Sequence, residues 1–494
     1  MPRNVIIIHA DQHRADCIGC YGNRDVKTPH IDALAADGER HDNHFTVYPL
    51  CTPSRYSLLT GTYASRHLGT NNRCAVPPGI GTFASVLRAD GYNTAAVGKM
   101  HFTPTCLDVG FDSLTLAEQD GPGRFEDDYH RYLLNLGLVD RTDIIDQFYT
   151  YRANAPDGYL ESFGAAASDL PTEHHSTTWI TERSLEKITA FAPGRGNLLM
   201  TGYIKPHHPF DPPGSYADMY DPGALSILPG WAEQLSETDR RKSNGYFNYD
   251  MLTEAALRRV MAMYYGTVSH IDDGVGQIVA RLKEAGLYDD ALVIYTSDHG
   301  EYMGWHHLLL KGNYMYEPEV RIPLIVKYPK SWNRRGTVDT LSSNIDIAKM
   351  ICRVCEAEPS KSMDGRDISD MGGGREYVVC ERMTGQWDYM VRTKTHKLLI
   401  SGDAADLRLF DLANDPHELQ NIAPDPANDA LIGEMKEMLM NELVFRRGLY
   451  AHSNAKAPVT NGRTPEDTCA ERKKRSHMTA ELCDVKPTEI IWDY

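Results

Sequence analysis

The chain has 494 residues, 41% of them apolar, which is enough for a large buried core and more than one simple core usually holds. Its 51 basic and 68 acidic residues leave a formal net charge of -17. That balance repels polyanions at long range and excludes general binding to nucleic acid or an anionic membrane surface, so an anionic substrate must meet a local basic pocket.

From the N-terminus, the apolar stretch Val5 to Ile8 is followed by Asp11 too soon for a signal-peptide core or a membrane span. The chain therefore reads as cytoplasmic. Val5 to Ile8, Thr94 to Val97, Leu198 to Ile204 and Leu292 to Thr296 are short runs that end abruptly in polar residues. Alternating with helical patterns, they predict a mostly parallel sheet covered on both faces, an α/β fold. The strongest helix carries Leu257, Val260, Met261, Tyr264, Val268, Ile271, Val275, Ile278 and Leu282 at three- and four-residue steps.

The glycine run Gly372 to Gly374 sets a boundary between a catalytic part, 1–373, and a smaller part, 374–494. In the latter, Tyr377 to Cys380, Tyr389 to Arg392, Lys397 to Ile400 and Leu409 to Leu412 predict a small antiparallel sheet, with a helix near Leu431 to Leu443. The polar tail from about Ala451 contains the basic run Arg472 to Arg475 and shows no strong period. Two readings of it stay open: an arm packed on the body or on a second subunit of a homo-oligomer, or a solvated tail. The ten cysteines are scattered, unlike a disulfide framework. Cys17 with Cys20 and Cys352 with Cys355 form two Cys-x-x-Cys pairs, but the second lies on an apolar-faced helix, and no zinc is assigned.

Ligands of open α/β sheets collect beyond the carboxyl ends of strands. Here the first strand ends in Asp11 and Gln12, the next leads to Lys99 and His101, the third to Lys205, His207 and His208, and the fourth to Asp298 and His299. Any one of these has an ordinary structural reading, as a helix cap or a loop histidine. Their concurrence marks a site. Cys51 precedes Thr52, Pro53, Ser54 and Arg55, with Gly61 as a stop signal, which places the cysteine at a helix N-terminus with Thr52 or its neighbour as N-cap. Free N–H groups there favour an anion, and Arg55 stands one turn on.

The segment Cys51-x-Pro53-Ser54-Arg55 followed by Leu58, Leu59, Thr60 and Gly61 resembles the signature of the type I sulfatases of the alkaline phosphatase superfamily. The resemblance covers nearly the whole chain. It includes Asp11 and Gln12; Gly98 to His101; Lys205 to Phe210; Thr296 to Glu301; Lys311, Tyr316, Glu317 and Arg321 to Pro323; and Leu409 to Leu412 with Asp415, Pro416, Glu418 and Asn421. It implies an alkaline-phosphatase-like fold, a large mixed and mostly parallel sheet between helices, with a smaller C-terminal α+β domain.

It also implies a chemistry. Cys51 would be oxidised to formylglycine by a formylglycine-generating enzyme and hydrated to a diol, with one oxygen attacking sulfur and the other expelling sulfate. A divalent cation, usually calcium, would be held by Asp11, Gln12, Asp298, His299 and residue 51. Gln12 and His299 depart from the commonest pattern of aspartate and asparagine, which brings manganese or another transition metal into consideration. Asp298 would position the attacking hydroxyl, His101 would take the second proton, and His207 with Lys311 would protonate the leaving alcohol. Lys99, Lys311 and Arg55 would bind sulfate oxygens. Asn72 is a further sulfate or substrate contact.

Arg73, Lys205 and His208 either add positive charge for an acidic substrate or serve the structure, and the same alternatives hold for His306 and His307. Loops Glu118 to Arg131 and Tyr216 to Asn248, if they narrow the pocket mouth, favour a small or chain-end substrate, and neither identifies its sugar or aryl group. The resemblance implies a small anionic sulfate ester, of a sulfated sugar or an aryl alcohol. The nearest competing reading is a formylglycine-dependent phosphonate monoester or phosphodiester hydrolase, whose branch places neutral hydroxyl-bearing residues where Lys99 and His101 stand. A non-catalytic binding protein on the same fold is the other.

Overall fold

The computed structural model describes residues 3–445 and 465–483, apart from 78, 153–154, 156–157, 243–245, 313, 371–373, 384 and 403–405. Eight strands form the central sheet: β1 (Val5–Asp11), β2 (Glu39–His41), β3 (Asn93–Gly98), β4 (Ser113–Leu116), β5 (Asn197–Pro206), β6 (Leu292–Ser297), β7 (Leu324–Lys327) and β8 (Gly336–Val338). Their spatial order is β4-β3-β5-β1-β6-β7-β2-β8. Every pairing is parallel except the two made by β7, so β7 alone runs against the rest.

All seven residues of β1 are buried, as a strand covered on both faces requires. Its odd and even positions separate two cores. Val5 and Ile7 pack with Tyr56, Leu59, Leu87, Met350 and Ile351, from helices α2 (Cys51–Thr60), α3 (Phe83–Ala89) and a helix at Asn344–Val354. Ile6 and Ile8 pack with Leu34, Ile180, Ile271, Val275 and Ile278. These come from α1 (Pro29–Ala36) and from helices at Ser176–Thr189 and Glu254–Glu284. The last is the helix predicted from Leu257 to Leu282, and Thr253 caps it by accepting the Ala256 N–H. Between them lie α4 (Asp128–Asn135) and α5 (Arg141–Gln147), so in chain order Ser176–Thr189 is α6, Glu254–Glu284 is α7 and Asn344–Val354 is α8.

The second sheet is an antiparallel meander of β9 (Tyr377–Met383), β10 (Trp387–Thr393), β11 (His396–Ile400) and β12 (Leu407–Asp411). Its predicted strands are all present, and α9 (Asp429–Met440) follows. On one face Val379, Val391, Leu398 and Leu409 pack with Ile432 and Met435, but also with Val47, Tyr63 and Ile345 of the larger part. The opposite face, Val378, Cys380, Met390 and Phe410, joins the core around Tyr302 and Tyr316. The small sheet is therefore packed into the large part on both faces. Gly372 and Gly373 of the expected boundary lie outside the described residues.

In the tail, residues 446–464 and 484–494 lie outside the described residues, while α10 (Pro465–Leu482) is a helix against the body. Among the described residues no helix is long and apolar enough to cross a membrane.

Candidate active site

The carboxyl ends of β1, β3, β5 and β6 converge on the N-terminus of α2. The helix begins at Cys51 itself, and its N-cap is Leu50, which offers no side-chain acceptor. The cap is thus neither of those expected, Thr52 or the residue beside it, and Thr52 donates its hydroxyl to the His101 carbonyl at 3.0 Å. Gly61 ends the helix at φ 63°, as its lack of a Cβ permits. The Cys51 sulfur lies 3.3 Å from His299 Nε2 and 3.7 Å from Asp11 Oδ1. Ligand atoms of Asp11, Cys51, Asp298 and His299, all buried, lie within 4.8 Å of one another.

Arg55, one turn along α2, donates from Nε to Asp298 Oδ2 and from Nη2 to Asp11 Oδ2, both at 3.0 Å, and from Nη1 to the Lys99 carbonyl at 2.6 Å. Its side chain is 1% exposed. Arg55 thus braces two carboxylates at the site where it is expected to meet sulfate. Burial pushes the Asp11 carboxyl up, but neighbouring cations led by Lys99 outweigh it and hold the group well below its ordinary range. Burial and Asp11 likewise push the Cys51 thiol up, yet Lys311, His299 and Lys99 bring it down to about 5. Two lysines and an imidazole thus gather at the sulfur although the protein carries a net charge of -17.

Lys99 enters through a close approach of two glycines. Gly98 has φ +88°, and a Cβ there would lie 2.0 Å from the Gly202 carbonyl oxygen; one on Gly202 would lie 2.2 Å from the Lys99 oxygen. The turn delivers Lys99 Nζ to Asp11 Oδ2 at 2.7 Å and Gln119 Oε1 at 3.0 Å. His101 pairs through Nε2 with Asp120 Oδ1 at 2.9 Å. Burial lowers the proton affinity of this ring, but Asp120 and the Cys51 sulfur raise its pKa to about 10. The Met100 and His101 N–H groups donate to Glu118 at 3.0 Å.

His207 Nδ1 bonds the His208 carbonyl at 2.7 Å, and Nε2 meets Lys311 Nζ at 2.5 Å. Burial first, then Lys311, His208 and Lys99, hold the ring well below its ordinary pKa, so it is neutral at pH 7. Lys311 also donates to Gln12 Oε1 at 2.9 Å, and the Gln12 amide donates to Glu301. His208 stacks on His207 at 4.2 Å and pairs with Asp146, which also accepts the Tyr159 hydroxyl.

Of the other expected contacts, only Asn72 reaches the start of α2 beside Cys51. Lys205 is 1% exposed and held by Asp211, Asp143 and the Pro209 carbonyl. Buried and paired with carboxylates, Lys205 fits the structural one of its two readings. Asn72 Oδ1 accepts the Thr52 N–H at 3.2 Å, supporting the first turn of α2. Arg73 is exposed. Both nitrogens of His307 face carbonyls, of Ala232 at 2.9 Å and Tyr249 at 2.7 Å, and His306 Nε2 bonds the His417 carbonyl. Conversely, no sequence signal singles out Gln119 and Asp120 within the loop Glu118 to Arg131, or Asp146. They lie in loops and short helices with no strand end to single them out.

A family model for sulfatases matches residues 3–355, and one described as N-sulphoglucosamine sulphohydrolase, C-terminal, matches 304–444. The chain belongs to the sulfatase family, sulfuric ester hydrolases of the alkaline-phosphatase-like fold. An arylsulfatase of Clostridium perfringens is 28% identical over 487 residues, covering 92% of this chain and 97% of that protein. Among solved structures, the phosphonate monoester hydrolase of Agrobacterium radiobacter superposes with a TM-score of 0.76 at 24% identity, covering 90% of this chain and 96% of its own. A structure solved with its substrate D-glucosamine-2-N,6-O-disulfate gives 0.73 at 20% identity, covering 90% and 98%.

Proposed function

We propose that this sulfatase hydrolyses a monoester of a sulfated sugar or an aryl sulfate, with residue 51 acting as formylglycine beside a divalent cation. The observation that carries the reading is a thiol, two carboxylates and an imidazole within 4.8 Å of one another, surrounded by Lys99, His101, His207 and Lys311.

The donor set fits a cation. His299 Nδ1 bonds the Gly300 carbonyl at 3.0 Å, which leaves Nε2 for the cluster. Asp11, Asp298 and His299 would hold the metal with residue 51 and the Gln12 amide oxygen, a mixed oxygen and nitrogen set that suits calcium or manganese. When bound, the cation supplies charge that offsets the sulfuryl oxygens and eases ionisation of a hydroxyl. Formylglycine, introduced by a maturation enzyme, supplies that hydroxyl.

The remaining steps belong to side chains of this chain. Arg55 fixes Asp11 and Asp298, and Asp298 orients the attacking hydroxyl. Lys99 and Lys311 bind sulfate oxygens. His207, anchored at Nδ1, presents Nε2 as the atom that passes a proton from Lys311 to the leaving alcohol. His101, held at Nε2 by Asp120, takes the proton of the second hydroxyl when sulfate departs, a step that requires the ring first to give up the proton that Asp120 and the residue 51 sulfur stabilise. A small anionic substrate agrees with a buried basic site in an acidic protein.

The fold likeness to a phosphonate monoester hydrolase supports a second reading. Lys99 and His101, two cationic groups beside residue 51, favour sulfate. Assays on matched aryl sulfate, phosphate and phosphonate esters test the choice. Sulfate should be turned over fastest; a phosphonate turned over faster than sulfate would select the alternative.

A further inference from the structure

The basic run near the C-terminus has no part in the chemistry above, yet α10 carries it onto the loop behind the active site. Arg472 Nη2 meets Glu126 Oε1 at 2.6 Å. Arg475 Nη1 donates to the Asp127 carbonyl at 2.5 Å and lies 3.9 Å from Asp127 Oδ1. At the far end of the helix, Arg141 of α5 donates to the Leu482 carbonyl at 2.5 Å. These are not solvated surface charges: the Arg475 side chain is 3% exposed and that of Arg472 19%. A buried guanidinium persists only where acceptors meet it.

From Asp127 the contacts continue inward. Asp127 Oδ1 accepts the His130 N–H at 2.9 Å and so starts α4, while Oδ2 accepts the Glu118 N–H at 2.7 Å. Glu118 in turn receives the Met100 and His101 N–H groups. The next two residues hold the side chains of the same turn, Gln119 on Lys99 and Asp120 on His101. Three consecutive residues therefore set both the backbone and the cations of the Lys99 to His101 turn, and the segment that carries them is held from behind by α10.

We propose that α10 is a positioning element of the active site: through Arg475 and Arg472 it fixes the 118–127 loop, and through that loop the placement of Lys99 and His101. The inference rests on the roles given above to Lys99 and His101. It assigns a function to a part of the chain beyond residue 444, where the matched family models end.

Full-length Arg475→Met, Arg472→Glu and Glu126→Arg, the double charge swap, and a chain ending at residue 464 would be assayed on an aryl sulfate. Hydrogen exchange of the peptide covering 99–103 would be measured alongside. A displacement near 1 Å at reacting groups costs on the order of 100-fold, so Arg475→Met should lower kcat by about 10- to 100-fold and speed exchange at Met100 and His101. The charge swap should recover activity relative to either single change. Should the shortened chain fail to fold, Arg475→Met decides. A folded Arg475→Met protein with unchanged kcat and exchange overturns the proposal, as does a loss of kcat with unchanged exchange at 99–103. If the parent protein turns over no sulfate ester, the functional reading falls, and the exchange comparison still decides whether α10 holds the turn.

Discussion

His207 shows how single residues set the chemistry. Its Nδ1 is committed to the His208 carbonyl, so the proton must move at Nε2, where Lys311 waits. His207→Ala should therefore slow esters of poor leaving alcohols more than activated aryl sulfates, read as kcat/KM across a leaving-group series. Equal losses would remove His207 from the acid role. Burial lowers the His207 pKa most, and Lys311 is the next cause. Lys311→Met removes that second effect, so the His207 pKa should rise and the limb of the pH profile that reports it should move to higher pH. The groups legible in the sequence, Asp11, Lys99, His207, Asp298 and Cys51, all stand at strand ends or at the start of a helix. Asp120 and Gln119 contact the same turn but lie past β4 in an irregular loop, and no period or motif announces which loop carboxylate will reach a histidine.

At the scale of elements, the central strands β1, β3, β5 and β6 were readable because burial gives apolar runs, and α7 because its apolar stripe repeats over many turns. The short strands β2, β4, β7 and β8 were not, β4 and β8 being incompletely covered. The closest approach of the site's scaffold was not readable. Gly98 and Gly202 each let a neighbouring carbonyl come within van der Waals radius of where a Cβ would sit. Gly98→Ala should lower unfolding stability by about 1–3 kcal/mol from backbone strain alone, with added cost from the clash, and should displace Lys99. Denaturant unfolding with kcat on the same sample checks both, and an unchanged midpoint would contradict the packing described. Helix α10 was missed for the opposite reason. Its sequence shows no apolar period, and its described contacts are ion pairs and hydrogen bonds to carbonyls made with residues more than 300 positions away.

At the scale of the molecule, the small sheet is joined to the large part by buried charge as well as by shared cores. Lys397, fully buried, pairs with Glu418 at 2.8 Å and Glu317 at 3.3 Å, and Arg392 reaches Glu317 at 3.3 Å. Removing one partner leaves uncompensated buried charge, so Lys397→Met should cost about 3–5 kcal/mol, read from the unfolding midpoint. Burial pushes Glu317 up, but Arg392, Lys397 and Arg321 bring it from 4.5 to about 2. A depressed carboxyl contributes stability that is present above pH 4.5 and lost as pH falls toward 2. Glu317→Gln should flatten the acid side of the stability profile over that window. Strand periodicity shows the small sheet but cannot show that both of its faces will be shared with the larger part.

The central claim is that residue 51 is the nucleophile in modified form. The most direct test is the mass of the peptide containing residue 51 in enzyme of measured activity from the native host, with Cys51→Ala as control. The account predicts an aldehyde in place of the thiol, in proportion to turnover, and a folded but inactive Cys51→Ala protein. An unmodified thiol in fully active enzyme would contradict it.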